Sequence, residues 1–98
     1  MAGLSPQAQA QFAKLRRAYV DGLSGRKEEI NQALDRRDLI VLGACAHRLK
    51  GSAASFGFAH LSQLAMRLEQ SCEIADWQQA QESVAALRSE LDQIQGGI

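Results

Sequence analysis

The chain predicts an all-α fold, an antiparallel up-and-down four-helix bundle, with an additional short N-terminal helix if the chain breaks at its paired glycines. Three observations predict it. Apolar residues recur at three- and four-residue steps in successive segments, as core-facing helical stripes do. A single proline and 5% aromatic residues, with few β-branched ones, favour helix throughout. The segments are separated by short polar or glycine connectors, which make consecutive helices antiparallel neighbours.

Ser5-Pro6 begins the first helix, with proline at an early position where its missing N–H does no harm. Phe12, Leu15, Tyr19, Leu23, Ile30 and Leu34 then keep roughly one face. Gly22 and Gly25 interrupt this run, and two readings fit: they end one helix and let Ser24 cap the next, or they bend one long helix. Asp35-Arg36-Arg37-Asp38 is a polar connector, and Asp38 is placed to cap a helix running to about Phe56. On that helix Leu42, Cys45, Leu49, Ala53 and Phe56 form the core-facing stripe. Gly57 breaks the pattern as a helix stop. Leu61, Leu64, Ala65, Leu68 and Cys72 mark the next stripe, and Asp76 caps a last helix whose seam is Trp77, Ala80, Val84, Leu87, Leu91 and Ile94. By spacing, Phe12, Tyr19 and Trp77 belong to the core, and Gln95-Gly96-Gly97-Ile98 should fray.

The 98 residues are read as a single domain over residues 1–98, and a monomer. Eleven basic and eleven acidic residues give a formal net charge of zero, which argues against a nucleic-acid partner. No 18-residue apolar stretch and no signal-peptide pattern is present, so no membrane association is expected and the default location is the cytoplasm. Cys45 and Cys72 have no zinc-type spacing and are read as buried free thiols.

The chemistry concentrates at His47. At about 100° per residue it lies roughly 160° around the helix from the core stripe. Lys50 and Gly51 follow at i+3 and i+4, the spacings of helix neighbours. A neutral imidazole nitrogen is nucleophilic near pH 7. A solvent-facing Lys50 can neutralise incoming phosphoryl oxygens as a point charge. Gly51 removes the Cβ that would crowd a tetrahedral group. Glycine costs a helix interior about 1 kcal/mol relative to alanine, so its presence calls for a reason, and space is the simplest.

The run Ala46-His47-Arg48-Leu49-Lys50-Gly51-Ser52, followed by Gly57, Leu61, Leu64, Leu68 and Glu69, resembles the signature of histidine-containing phosphotransfer (HPt) domains of two-component phosphorelays. The resemblance extends over most of the chain, with Asp38 opening the histidine helix and Ala75-Asp76-Trp77 opening the last. It implies a helical bundle whose surface histidine takes a phosphoryl group from one receiver-domain aspartate and passes it to another. The implied partners are receiver domains of response regulators or of a hybrid histidine kinase. The receiver is expected to bring Mg²⁺, and this chain no cofactor or metal. Nothing resembles a nucleotide-binding box, so a carrier without ATP-dependent kinase activity is expected rather than an enzyme.

Further candidates follow from the hairpin and the exposed flank. If the chain reverses near Gly57, Glu69 lies at the height of His47, beside rather than within the apolar stripe. It is then placed to accept a hydrogen bond from Nδ1–H and leave Nε2 as nucleophile. HPt domains often carry glutamine or another polar residue there. A carboxylate would favour imidazolium, oppose Lys50 and repel a close phosphate. Gly43, His47, Lys50, Gly51 and Ala54 share one flank, with Leu39 and Ile40 at its N-terminal end, a small and partly apolar surface suited to a partner. The structural alternative for Gly43 is close packing against the first helix. Arg48 and Arg67 are read as solvent-face charges available to a partner, Ser52 as bonding back to a carbonyl or allowing close packing, and His60 as solvated. Two other classes stand beside this one. A metal-binding bundle would need His47, His60, Cys45 and Cys72 to converge, although Cys45 and His47 point apart. A purely structural helical adaptor would need neither the histidine nor the lysine.

Overall fold

Helix ends leave carbonyls unpaired, and three junctions of this chain satisfy them in the same way. At Arg37, Gly57 and Ala75 the backbone turns to positive φ, 53°, 83° and 55°. The N–H of each bonds the carbonyl three residues back, and the next N–H reaches five back: Asp38 to Ala33, Phe58 to Ala53, Asp76 to Ser71. This is the Schellman closure, which favours glycine but here accepts arginine and alanine at two of the three sites. The helices that follow are capped by the predicted side chains at two junctions: Val41 N–H donates to Asp38 Oδ1 and Gln79 N–H to Asp76 Oδ1.

The resulting computed structural model describes residues 3–96 and consists there of five helices without strands: α1 (Pro6–Asp21), α2 (Leu23–Asp35), α3 (Leu39–Ser55), α4 (Ala59–Glu73) and α5 (Trp77–Gly96). Helices α2 to α5 make the four-helix bundle. Each packs on its sequence neighbour and α2 closes against α5.

The additional N-terminal helix is real but not short, at 16 residues. Ser5 caps it, accepting from Ala8 N–H, with Pro6 at its first turn. Gly22 ends it without leaving the helical region (φ −79°, ψ −8°). The α1 and α2 segments therefore follow one another through a break rather than a turn. Ser24 lies inside α2 and is not its cap, which falls at Gly22.

The core is drawn from the predicted stripes. Leu23, Ile30, Leu42, Leu49, Leu61, Leu68, Val84, Leu87 and Leu91 are fully buried, each side chain contributing about 1.5–3 kcal/mol by removal from water. Departures occur where a stripe runs past the bundle. Phe12 and Leu15 are exposed, because α1 extends beyond the four-helix core, and Tyr19, Phe56 and Trp77 are only half-buried. Phe12 and Tyr19 instead stack on Phe56 at ring distances of 6.0 and 4.5 Å, with Arg16 over Phe58. This aromatic cluster ties α1 to the α3–α4 turn. Gln95 and Gly96, at the end expected to fray, lie within α5, and Gln95 Nε2 donates to Val20 O and Ser24 Oγ. The remainder of that predicted frayed end, residues 97–98, lies outside the described residues.

Candidate functional site

On α3 the buried stripe fixes the rotation of the helix, and with Ala46 and Leu49 in the core the intervening side chains must face out. His47 does so, with its side chain 68% exposed. One turn on, Gly51 is exposed and its missing Cβ would meet nothing within 4 Å. The space predicted beside the imidazole exists.

Helix α4 supplies the third group. Ser62 Oγ donates to Lys50 O at 2.9 Å and fixes the register of α4 on α3. Two turns along α4, Glu69 then reaches both candidate side chains. Its Oε2 lies 2.7 Å from His47 Nδ1, and Lys50 Nζ donates to its Oε1 at 2.6 Å. The carboxylate is 15% exposed, yet it is held below the ordinary carboxylate range by the Lys50 hydrogen bond, with burial opposing and the His47 bond assisting. An ionised carboxylate only accepts hydrogen bonds, so Nδ1 carries the proton of the neutral ring and Nε2 keeps the lone pair.

Lys50 was expected to be a free, solvent-facing charge. It is instead about two-thirds covered and bonded to Glu69, because α4 brings a carboxylate within reach of its stem. The pair is close to neutral as a unit. Glu69 therefore does not present the bare charge that would repel phosphate.

The other candidates divide. Leu39, Ile40, Gly43, Ala44, His47, Arg48, Glu69, Cys72, Glu73 and Ala75 line one open groove between α3 and α4. Ile40, 86% exposed, stands at its end. Gly43 belongs to this groove but serves packing: a Cβ on it would lie 3.2 Å from Cys72 Cβ, so glycine lets α3 and α4 approach. Its close packing is against α4, not the first helix. Arg48 turns toward α2, with Nη2 3.5 Å from Glu29 Oε2 and 3.6 Å from Cys45 Sγ. Ala54 is exposed on α3, near its C-terminal end. Arg67 is not brought to the site. It lines a groove between α4 and α5 with Gln70, Gln79 and Glu82, because it is set about 200° around α4 from Glu69.

Ser52 Oγ donates to Leu49 O at 3.3 Å as expected and also bonds the Tyr19 hydroxyl at 2.8 Å, a partner from α1 that spacing does not reveal. Cys45 is buried, but Cys72 is half-buried at the groove and not in the core; both thiols are free, and burial raises the pKa of each. His60 is exposed, 4.0 Å from Glu90. Among the described residues no group of three or more His, Cys, Asp or Glu side chains is gathered to hold a metal ion. No helix among them is long and apolar enough to cross a membrane.

Comparison with curated proteins and with solved structures returned no match. A family model described as the Hpt domain matches residues 14–97, which take in the end of α1, the whole bundle and every residue of the His47, Lys50 and Glu69 cluster. With the predicted helices, the exposed imidazole and that match in agreement, the chain belongs to the Hpt domain family.

Proposed function

We propose that this chain is a phosphorelay intermediate in which His47 accepts a phosphoryl group from a receiver-domain aspartate and passes it to another. The observation that carries this reading is the doubly bonded Glu69: one oxygen takes His47 Nδ1–H, the other takes Lys50, and the nucleophilic lone pair is left on Nε2 of an exposed ring.

The step balances without a group from ATP. The Nε2 lone pair attacks phosphorus of the aspartyl phosphate in line. The bond between phosphorus and the aspartyl carboxyl oxygen breaks, and its electron pair leaves with that oxygen as the receiver carboxylate. The ring becomes a phosphoimidazolium with its proton still on Nδ1. In the reverse sense an aspartate oxygen attacks phosphorus, and the P–N pair returns to Nε2. Lys50, paired with Glu69, offsets the carboxylate charge that would otherwise repel the incoming phosphoryl group, and Gly51 leaves room for the tetrahedral group. Positioning is this chain's main contribution, and the Mg²⁺ that such a transfer uses belongs to the receiver. The small and apolar residues around His47, with Ile40 exposed at one end of the groove and charged groups at its rim, suit a receiver's active-site loops.

The test is label transfer from a phosphorylated receiver. His47→Gln should abolish it with the helical circular dichroism intact, while His60→Gln transfers near normally. The label should be acid-labile and base-stable, as a phosphoramidate is. Acid-stable label, or transfer that survives His47→Gln, overturns the assignment.

A further inference from the structure

We infer that Glu69 sets the lifetime of the phosphorylated state: by holding a proton on Nδ1 of phosphorylated His47, it keeps the P–N bond labile at pH values where an unassisted phosphohistidine would be inert. This rests on His47 being the acceptor. It adds a positioning residue that governs how the site responds to pH.

The argument starts from the leaving group. With phosphate on Nε2 and a proton on Nδ1, P–N cleavage releases neutral imidazole. If Nδ1 has lost its proton, cleavage must release an imidazolate, a far poorer leaving group. Transfer and hydrolysis therefore both run through the protonated ring. A carboxylate 2.7 Å from Nδ1 stabilises that cation by charge and by hydrogen bond together. An amide in its place would accept the same bond without the charge.

The geometry restricts the effect to Glu69. Around the ring, α3 contributes Lys50 and Arg48, and α4 contributes Glu69, Cys72 and Glu73. Lys50 is bonded to the far oxygen of Glu69, and Arg48 faces Glu29 on α2. Burial at Cys72 favours its neutral thiol over the thiolate. Glu73 lines the same groove but is exposed, one helical turn beyond Glu69, so solvent screens its charge. Only Glu69 joins a direct bond to Nδ1 with low exposure. Lys50 moderates it, since a carboxylate shared with an ammonium is a weaker proton holder than a free one.

The experiment removes the receiver. The parent chain, Glu69→Gln and Glu73→Gln are phosphorylated with potassium phosphoramidate, and phosphohistidine decay is followed by ³¹P NMR from pH 6 to 10. The parent should keep fast decay about one pH unit further into the alkaline range than Glu69→Gln, which makes the variant about tenfold longer-lived on the alkaline side. The two should converge at pH 6, where both rings are protonated, and Glu73→Gln should track the parent. Superimposed profiles for parent and Glu69→Gln overturn the inference. So does a uniform offset at every pH, which a merely structural role would produce. A second measurement needs no variant: ¹⁵N shifts of the unphosphorylated neutral ring should show the proton on Nδ1, and a proton on Nε2 overturns the inference. If the parent takes no phosphate on His47, the acceptor assignment itself falls.

Discussion

Two glycines on one helix give the most discriminating test of this site, since α3 carries both for different reasons. Outside its own helix backbone, a Cβ at Gly51 meets no heavy atom within 4 Å, so Gly51→Ala changes only the backbone term. That term favours alanine by about 1 kcal/mol, which in a domain of this size raises Tm by about 4–8 °C. At Gly43 the new Cβ would lie 3.2 Å from Cys72 Cβ, an atom fixed to the α4 backbone that cannot rotate away. The same gain of about 1 kcal/mol is then set against about 1–3 kcal/mol for overpacking, so Tm should stay level or fall by up to about 16 °C. Cys72 lies one turn from Glu69, so any spreading of the helices also lengthens the Glu69 contact with His47. Gly51→Gln separates fold from function further. Its Tm should hold or rise, while a side chain placed in the open space beside Lys50 should cut receiver phosphotransfer at least tenfold, about 1.4 kcal/mol of transition-state stabilisation. The assays are thermal melts by circular dichroism and single-turnover transfer from a labelled receiver. If Gly51→Ala lowers Tm, or Gly51→Gln transfers at the parental rate, open space for the incoming group is not why glycine stands there.

Lys50→Ala should slow single-turnover transfer by about 10- to 100-fold, from the loss of one charge-assisted contact of about 1–3 kcal/mol, while stability falls by only about 1 kcal/mol because a third of the lysine side chain is already in solvent; unchanged transfer with a large Tm loss would show that it serves the fold. The folded-state pKa of Glu69 is depressed, so its contribution to stability is fully present above the ordinary value near 4.5 and is lost as pH falls through the lower folded-state value. Glu69→Gln should therefore flatten the acid side of a Tm-against-pH curve, and an identical acid limb in both chains would refute the carboxylate's role in it. Ala75→Gly should raise Tm by a few degrees, since alanine at φ 55° carries a left-handed cost of about 1–2 kcal/mol that glycine avoids, in part offset by glycine's greater freedom when unfolded.

Much of this molecule is determined by local sequence. Helix periodicity alone locates the buried faces of α3, α4 and α5, because each stripe depends only on residues three and four apart. Asp38, Gly57 and Asp76 mark their junctions, because caps and left-handed closures are also local. The orientation of His47 and the open space at Gly51 follow from the same periodicity on a single helix. Other features required a second helix to be in place. Periodicity assigned Phe12 and Leu15 to the core, but a stripe cannot report that its helix outruns its neighbours. Gly43 shares a flank with His47, and only the approach of Cys72 makes it a packing glycine. Arg67 and Glu69 are two residues apart, yet the rotation of α4 sends one toward α5 and the other to the imidazole. The bonds of Lys50 and Ser52 to Glu69 and Tyr19 span 19 and 33 residues. Sequence alone placed the exposed imidazole and the room beside it, whereas the packing of α4 on α3 decided which carboxylate faces Nδ1, since that depends on a distance between side chains of two different helices.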